Sequence, residues 1–285
     1  MAVQSSETPA LRVSRIEAKL TRQLTPCGAG TMVWREIGAG AALVLLHGAS
    51  GSWTHWILNI LPLAERFRVL APDLPGFGDS TTPPEPHTAE ALADLVCAGL
   101  DRIVPPPGRF DLAGFSFGGI VAGLVAARLG ERARTLVLVG PGGMGLRHAA
   151  LLPLLRETPG MTCAELRRVH CSNLRALMIA NPGQVDDLAV FVHAENLLRS
   201  RFRSGSIPVS DVLLRALPDV QARIAGIWGS RDAFVGPYLE ERRTLLASYQ
   251  PDLDFRVIEG AGHWVIYEAA DQVNAAMADM LKCGD

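Results

Sequence analysis

Several things are scarce in this chain, and each scarcity removes a class of protein. There are five cysteines in 285 residues (Cys27, Cys97, Cys163, Cys171 and Cys283), an odd number, widely scattered and without a C-x-x-C pair. Neither a disulfide framework nor a zinc site is expected, and reduced thiols in a cytoplasm are the default. Lysine is almost absent: of 27 basic residues only Lys19 and Lys282 are lysine, a composition bias with no motif attached. With 29 acidic residues the formal charge is −2, and no basic block could track a polyanion, so nucleic-acid binding is not expected. The first twenty residues carry Glu7, Arg12 and Arg15 and lack the apolar stretch of a secretory signal, so no export is expected.

Long apolar runs are missing too. One uncharged stretch, LAGFSFGGIVAGLVAA at 112–127, falls short of the roughly 20 residues of a membrane span and is broken by Gly114, Gly118, Gly119 and Gly123. It is expected to be buried structure, with no membrane association.

What the chain does have is a rhythm. Short apolar or β-branched runs at 32–37, 42–46, 68–71, 110–113, 135–139, 224–228 and 255–258 alternate with helical patterns at 53–63, 88–103, 117–129, 238–248 and 269–281. Alternating βα units predict an α/β fold with a mostly parallel sheet, and continuously apolar strands such as ALVLL and TLVLV predict helices on both faces. The rhythm stops between about Pro141 and Pro218, where helical pieces are split by Pro153, Pro159, Pro182 and Pro208. A stretch that long needs structure of its own, and a helical lid over the strand ends is expected. The resulting division is residues 1–140 and 219–285 for the core and 141–218 for the lid.

The centre of the uncharged run is Gly114-Phe115-Ser116-Phe117-Gly118, a G-x-S-x-G between a strand and a helix. A serine there sits on a tight turn that lifts its hydroxyl to the C-terminal edge of the sheet, above a helix N-terminus that favours negative charge. A nucleophilic serine needs a base, and the base an orienting carboxylate. Both occur in the order Ser, Asp, His. Asp232 lies in GSRD just after the strand IAGIW, and His263 in the glycine-rich GAGHW after the last strand. Asp252 and Asp254 are weaker alternatives, because they precede that strand. The predicted catalytic set is Ser116, Asp232 and His263.

Two backbone donors should hold an oxyanion: the N–H of Phe117, and one from the loop His47-Gly48-Ala49-Ser50-Gly51, with Ala49 first and Ser50 second. His47 reads as a structural hydrogen-bonding residue, and DLPGFGDS at 73–80 as an ordered turn. Phe115, Phe117, Trp53, Trp56 and Trp264 lie near these motifs and suggest an apolar pocket for a small-molecule substrate.

From HGASG through DLPGFGDS and GFSFGG to GSRD and GAGHW, the chain resembles the α/β-hydrolase family over nearly its whole length. The resemblance implies an eight-stranded, mostly parallel sheet, a serine hydrolase and no cofactor or metal. Within the family it looks most like the meta-cleavage product hydrolases, which cut a carbon–carbon bond in vinylogous diketones. Gly262, His263 and Trp264 followed by Glu268, Ala270, Asp271 and Asn274 are similar to theirs. The chain departs from them in having Phe115, where they carry Asn, and in an oxyanion loop without their Pro-Gly step. They hold the substrate's keto-acid end with a lid arginine; Arg199, Arg201 and Arg203 are the candidates, Arg201 looking most similar. The implied substrate-binding residues are Ser50, Phe115, Arg201 and Trp264. Ester or lactone hydrolysis remains open beside carbon–carbon cleavage, as do a ligand-binding relative and a lyase or cofactor-free oxidative activity. A homodimer is equally open.

Overall fold

The computed structural model describes residues 7–281, so Lys282 and Cys283 lie outside the described residues. Eight strands form one sheet in the order β1-β2-β4-β3-β5-β6-β7-β8. They are β1 (Thr21–Cys27), β2 (Gly30–Ile37), β3 (Ala42–Leu46), β4 (Arg68–Pro72), β5 (Phe110–Phe115), β6 (Ala133–Val139), β7 (Arg223–Gly229) and β8 (Asp254–Ile258). β1 and β2 pair antiparallel, as do β2 and β4, and the other pairings are parallel. The C-terminal ends of β3, β5, β6, β7 and β8 therefore share one edge.

Ten α-helices accompany the sheet among the described residues: α1 (Pro9–Glu17), α2 (Ile60–Ala64), α3 (Ala89–Ile103), α4 (Phe117–Leu129), α5 (Cys163–Leu177), α6 (Asp187–Leu198), α7 (Val212–Ala216), α8 (Leu239–Tyr249), α9 (Val265–Glu268) and α10 (Ala270–Met280). Every residue of β3 is buried, and its side chains divide by alternation. Leu43 and Leu45 join Ala113, Val137 and Ile227 under α9 and α10; Val44 and Leu46 join Leu112, Leu136 and Leu138 under α3 and α4. That is why these strands are apolar at every position. Among the described residues no helix is long and apolar enough to cross a membrane.

One element departs from the sequence expectation and two lie beyond it. The expected helix 53–63 is a 3-10 turn at Trp53–Trp56 followed by the separate α2, because Ser52 accepts the Thr54 N–H and starts a tight turn of its own. β1 had no alternating signal to read: its outward-facing Leu24 is 58% exposed, while the inward-facing Thr25 and Cys27 are buried. α1, capped by the Thr8 hydroxyl, buries only Ile16 and so has no apolar stripe. Between β6 and β7 no strand occurs; an irregular stretch after Gly140 leads to α5, which has a reciprocal cap between Thr162 and Glu165, and then to α6 and α7.

A buried charge cluster holds the N-terminal edge elements to the loop after β4. Arg35 on β2, 3% exposed, donates to Asp73 Oδ2 at 2.8 Å, to Asp79 Oδ2 at 2.6 Å and to Glu17 Oε1 at 2.7 Å, and it stacks over Trp53 at 5.2 Å. Asp73 also accepts the backbone N–H groups of Trp53 and Asp79. Replacing Arg35 with Leu strands the Asp73 carboxylate in a buried site, and such a loss costs about 3–5 kcal/mol. Urea denaturation of Arg35→Leu is expected to show a midpoint lowered accordingly with an unchanged slope.

Candidate active site

β5 and α4 meet at Ser116, whose φ of 52° and ψ of −118° lie outside the regions ordinary residues favour. The bend is possible because the backbone on both sides closes to contact. A Cβ on Gly114 would stand 2.4 Å from the Gly118 carbonyl oxygen, and one on Gly118 would stand 2.4 Å from those of Leu46 and His47. The Ser116 N–H is spent on the Val139 carbonyl at 2.8 Å, which ties the bend to β6.

His263 reaches this serine from the loop after β8. Its Nδ1–H donates to Asp232 Oδ2 at 2.7 Å, which leaves Nε2 as the acceptor for the Ser116 hydroxyl at 3.0 Å. Asp232 is fixed in turn: its Oδ1 accepts the Phe234 N–H at 2.9 Å, and both it and His263 are buried. Gly140, with φ of +51°, passes beside the pair where a Cβ would be 3.2 Å from Asp232 Oδ2. The imidazole lies against Phe115 and Phe234, with ring centroids at 5.0 and 4.4 Å. The loop is anchored by Glu268, whose carboxylate accepts the N–H groups of Gly262, Ala180 and Asn181, while Trp264 N–H donates to Met178 O at 2.7 Å. Asp252 and Asp254 lie apart from this cluster; Asp254 pairs with Arg256.

Phe117 opens α4, so its N–H has no acceptor within the helix, and the loop after β3 brings Ala49 to the same cavity as Ser116. Among the described residues neither N–H has a protein acceptor. His47 braces that loop: its Nδ1 donates to Gly48 O at 2.8 Å and its Nε2 accepts the Leu74 N–H at 2.9 Å. Burial pushes its pKa below the ordinary histidine value, in keeping with a neutral structural ring.

The cavity over Ser116 measures about 240 Å³ and lies between the strand ends and the segment linking β6 to β7. Ala49, Ser50 and Phe115 line it. Two expected substrate contacts need correction. Arg201 is turned away: its Nη2 donates to the carbonyls of Gly78 and Ser80 at 2.9 and 2.6 Å, clamping the DLPGFGDS turn. Trp264 is 1% exposed and packs behind the wall, its Nε1 donating to His55 O at 3.0 Å. Arg199 is also engaged, with Asp79 and Glu195. The Phe117 ring points into the core against Phe77 and Phe202, so Phe117 offers the cavity only its backbone.

Sequence reasoning missed several wall residues: His55, Asn173, Met178, His193, Leu197 and Phe234. Phe234 was within reach, two residues after Asp232. The others come from segments with no motif, and nothing in the sequence alone places them.

The alpha/beta hydrolase family model matches residues 43–276, and the chain belongs to that family. It is a hydrolase by this membership. It is 30% identical over 273 residues to a dihydrolipoyllysine-residue acetyltransferase component of an acetoin cleaving system from Pseudomonas putida, covering 91% of this chain and 69% of the relative. It is 29% identical over 270 residues to a 2-hydroxy-6-oxo-6-phenylhexa-2,4-dienoate hydrolase from Burkholderia cepacia, covering 87% and 90%. A carboxylesterase structure from Bacillus subtilis superimposes with a TM-score of 0.77 at 17% identity, covering 97% of this chain and 96% of the other.

The tightness of the bend can be probed directly. In Gly118→Ala the new methyl meets two backbone carbonyls that cannot move independently of the sheet. A loss of about 2–6 kcal/mol is expected from overpacking and strain together, read as a drop in thermal midpoint together with slower labelling of Ser116 by a fluorophosphonate.

Proposed function

We propose that this chain is a serine hydrolase that transfers the acyl group of a small, uncharged carboxylic ester to water through Ser116, His263 and Asp232. The observation that carries this is the pair of contacts on one imidazole, 2.7 Å to Asp232 and 3.0 Å to Ser116. Ser116 Oγ attacks the ester carbonyl carbon while its proton passes to His263 Nε2. Asp232 holds the imidazole tautomer and stabilises the imidazolium that forms. The N–H groups of Phe117 and Ala49 receive the carbonyl oxygen as it becomes negative. His263 then returns the proton to the leaving alcohol oxygen, and a water deprotonated by the same nitrogen attacks the acyl-serine and releases the acid.

The wall supports a neutral, largely apolar substrate. Phe115, Leu154, Leu177, Met178, Leu197 and Phe234 supply its large apolar side chains, and among the described residues no Arg or Lys lines it. The segment 141–218 acts as the lid of this cavity, between the two core parts 1–140 and 219–285. The small-molecule substrate enters without metal or organic cofactor, and the chain works in the cytoplasm.

Carbon–carbon bond hydrolysis by the same residues is the second reading, favoured by the relatives at 27–29% identity named as dienoate and dienedioate hydrolases. Their substrates carry a carboxylate, and Arg201, the cation expected to meet one, is committed to two backbone carbonyls. Turnover of p-nitrophenyl esters against a ring-fission dienoate separates the two, with the ester expected to be cleaved faster. With the better substrate, Ser116→Ala is expected to lower kcat by about 10⁶-fold and Asp232→Asn by about 10⁴-fold, with KM little changed. A fluorophosphonate is expected to label Ser116; labelling at any other residue contradicts the assignment.

A further inference from the structure

His55 is a polar residue in the wall of the Ser116 cavity that the reaction above does not use. It sits in the 3-10 turn Trp53–Trp56 and is 4% exposed. Its Nδ1 accepts the Gly48 N–H at 3.2 Å. A backbone N–H can only donate, so Nδ1 carries no proton and the neutral ring bears its hydrogen on Nε2. Burial, followed by the neighbouring His47, His193 and His263, pushes its pKa well below the ordinary histidine value, so the ring remains neutral near pH 7.

The ring is also held in place. Trp264 donates to the His55 carbonyl, and the imidazole packs against Phe115 and Trp264 with centroids at 5.5 and 5.2 Å. Gly51 makes room for it, since a Cβ there would be 2.3 Å from Cε1. Among the described residues the Nε2–H has no protein acceptor, it is not among the sealed, unpartnered polar atoms, and the residue lines the cavity. The Nε2 of His193, by contrast, is sealed within the wall.

We propose that His55 is a specificity-determining residue, its Nε2–H donating to an acceptor oxygen of the substrate other than that of the reacting carbonyl. This rests on the acyl-transfer reading above and narrows its substrate class to esters bearing a second oxygen, as a ketone or an ether. A substrate that sets a methylene against this donor leaves it buried and unsatisfied. That penalty corresponds to roughly ten- to hundredfold in kcat/KM.

The test uses p-nitrophenyl hexanoate, its 3-, 4- and 5-oxo derivatives, and hexanoate esters of a simple alkanol and of its ether-bearing analogue. Two variants separate donation from loop support. Asn at position 55 keeps an acceptor near the place of Nδ1 but cannot reach that of Nε2; Gln reaches the latter with an amide N–H and gives up the former. The wild-type chain is expected to prefer at least one oxygen-bearing ester over its parent by roughly tenfold or more. His55→Asn is expected to bring that ratio near one, and His55→Gln to retain most of the preference. No preference in the wild type, an unchanged ratio in His55→Asn, or equal loss in both variants overturns the proposal while ester cleavage and Ser116 labelling leave the acyl-transfer reading standing. A chain that cleaves none of the esters and takes no label at Ser116 overturns both.

Discussion

The structure turns on a single backbone bend, at Ser116, where β5 stops and α4 begins. A non-glycine residue at φ of 52° is held there only because the surrounding backbone leaves it no alternative. Gly114 and Gly118 allow that closeness, and the Ser116 N–H bonded to β6 pins it to the middle of the sheet. α4 is buried along ten consecutive residues, from Phe117 to Ala126, so the bend cannot relax by letting the helix swing outward. Core packing thus maintains the strain, and the strained serine hydroxyl stands at the sheet edge.

The same edge collects the other parts because the strands on either side of β5 run parallel to it. Parallel pairing puts the loops after β3, β7 and β8 at one end, bringing Ala49, Asp232 and His263 to Ser116 from far-separated places in the chain. Each of these loops is then stiffened by polar side chains acting on backbone. His47 bonds Gly48 and Leu74, Asp232 receives Phe234, and Glu268 gathers Gly262, Ala180 and Asn181. Glu268 matters doubly, since its partners lie on both sides of the cavity and so couple the His263 loop to the segment that covers it. Buried carboxylates and imidazoles are tolerated here because nearly every one is hydrogen-bonded.

Legibility in the sequence followed the strength of local constraint. Strands buried on both faces were readable because burial forces every position to be apolar, as in ALVLL. β1 was not, since at the sheet edge its one large apolar residue, Leu24, faces outward. The glycine-flanked serine and the late Asp and His were readable because turn geometry dictates residue type within a few positions. Arg201 and Trp264 were misassigned for the opposite reason: both are large and near the right motifs, but their direction is set by contacts with Gly78, Ser80 and His55 that no local pattern encodes.

By itself, then, the sequence determined the α/β class, the order of most elements, and the residues whose geometry is local, namely the serine at its bend and the loops that carry Asp232 and His263. Only the tertiary structure decided which side chains face the cavity, that Arg201 is spent on backbone, and that His55 keeps one ring nitrogen for its own loop and opens the other to the cavity. The division has a physical cause. Periodicity and turn chemistry act over a few residues and leave a mark on neighbouring positions, whereas the direction of a wall side chain depends on partners in separate segments, brought near only by the parallel sheet.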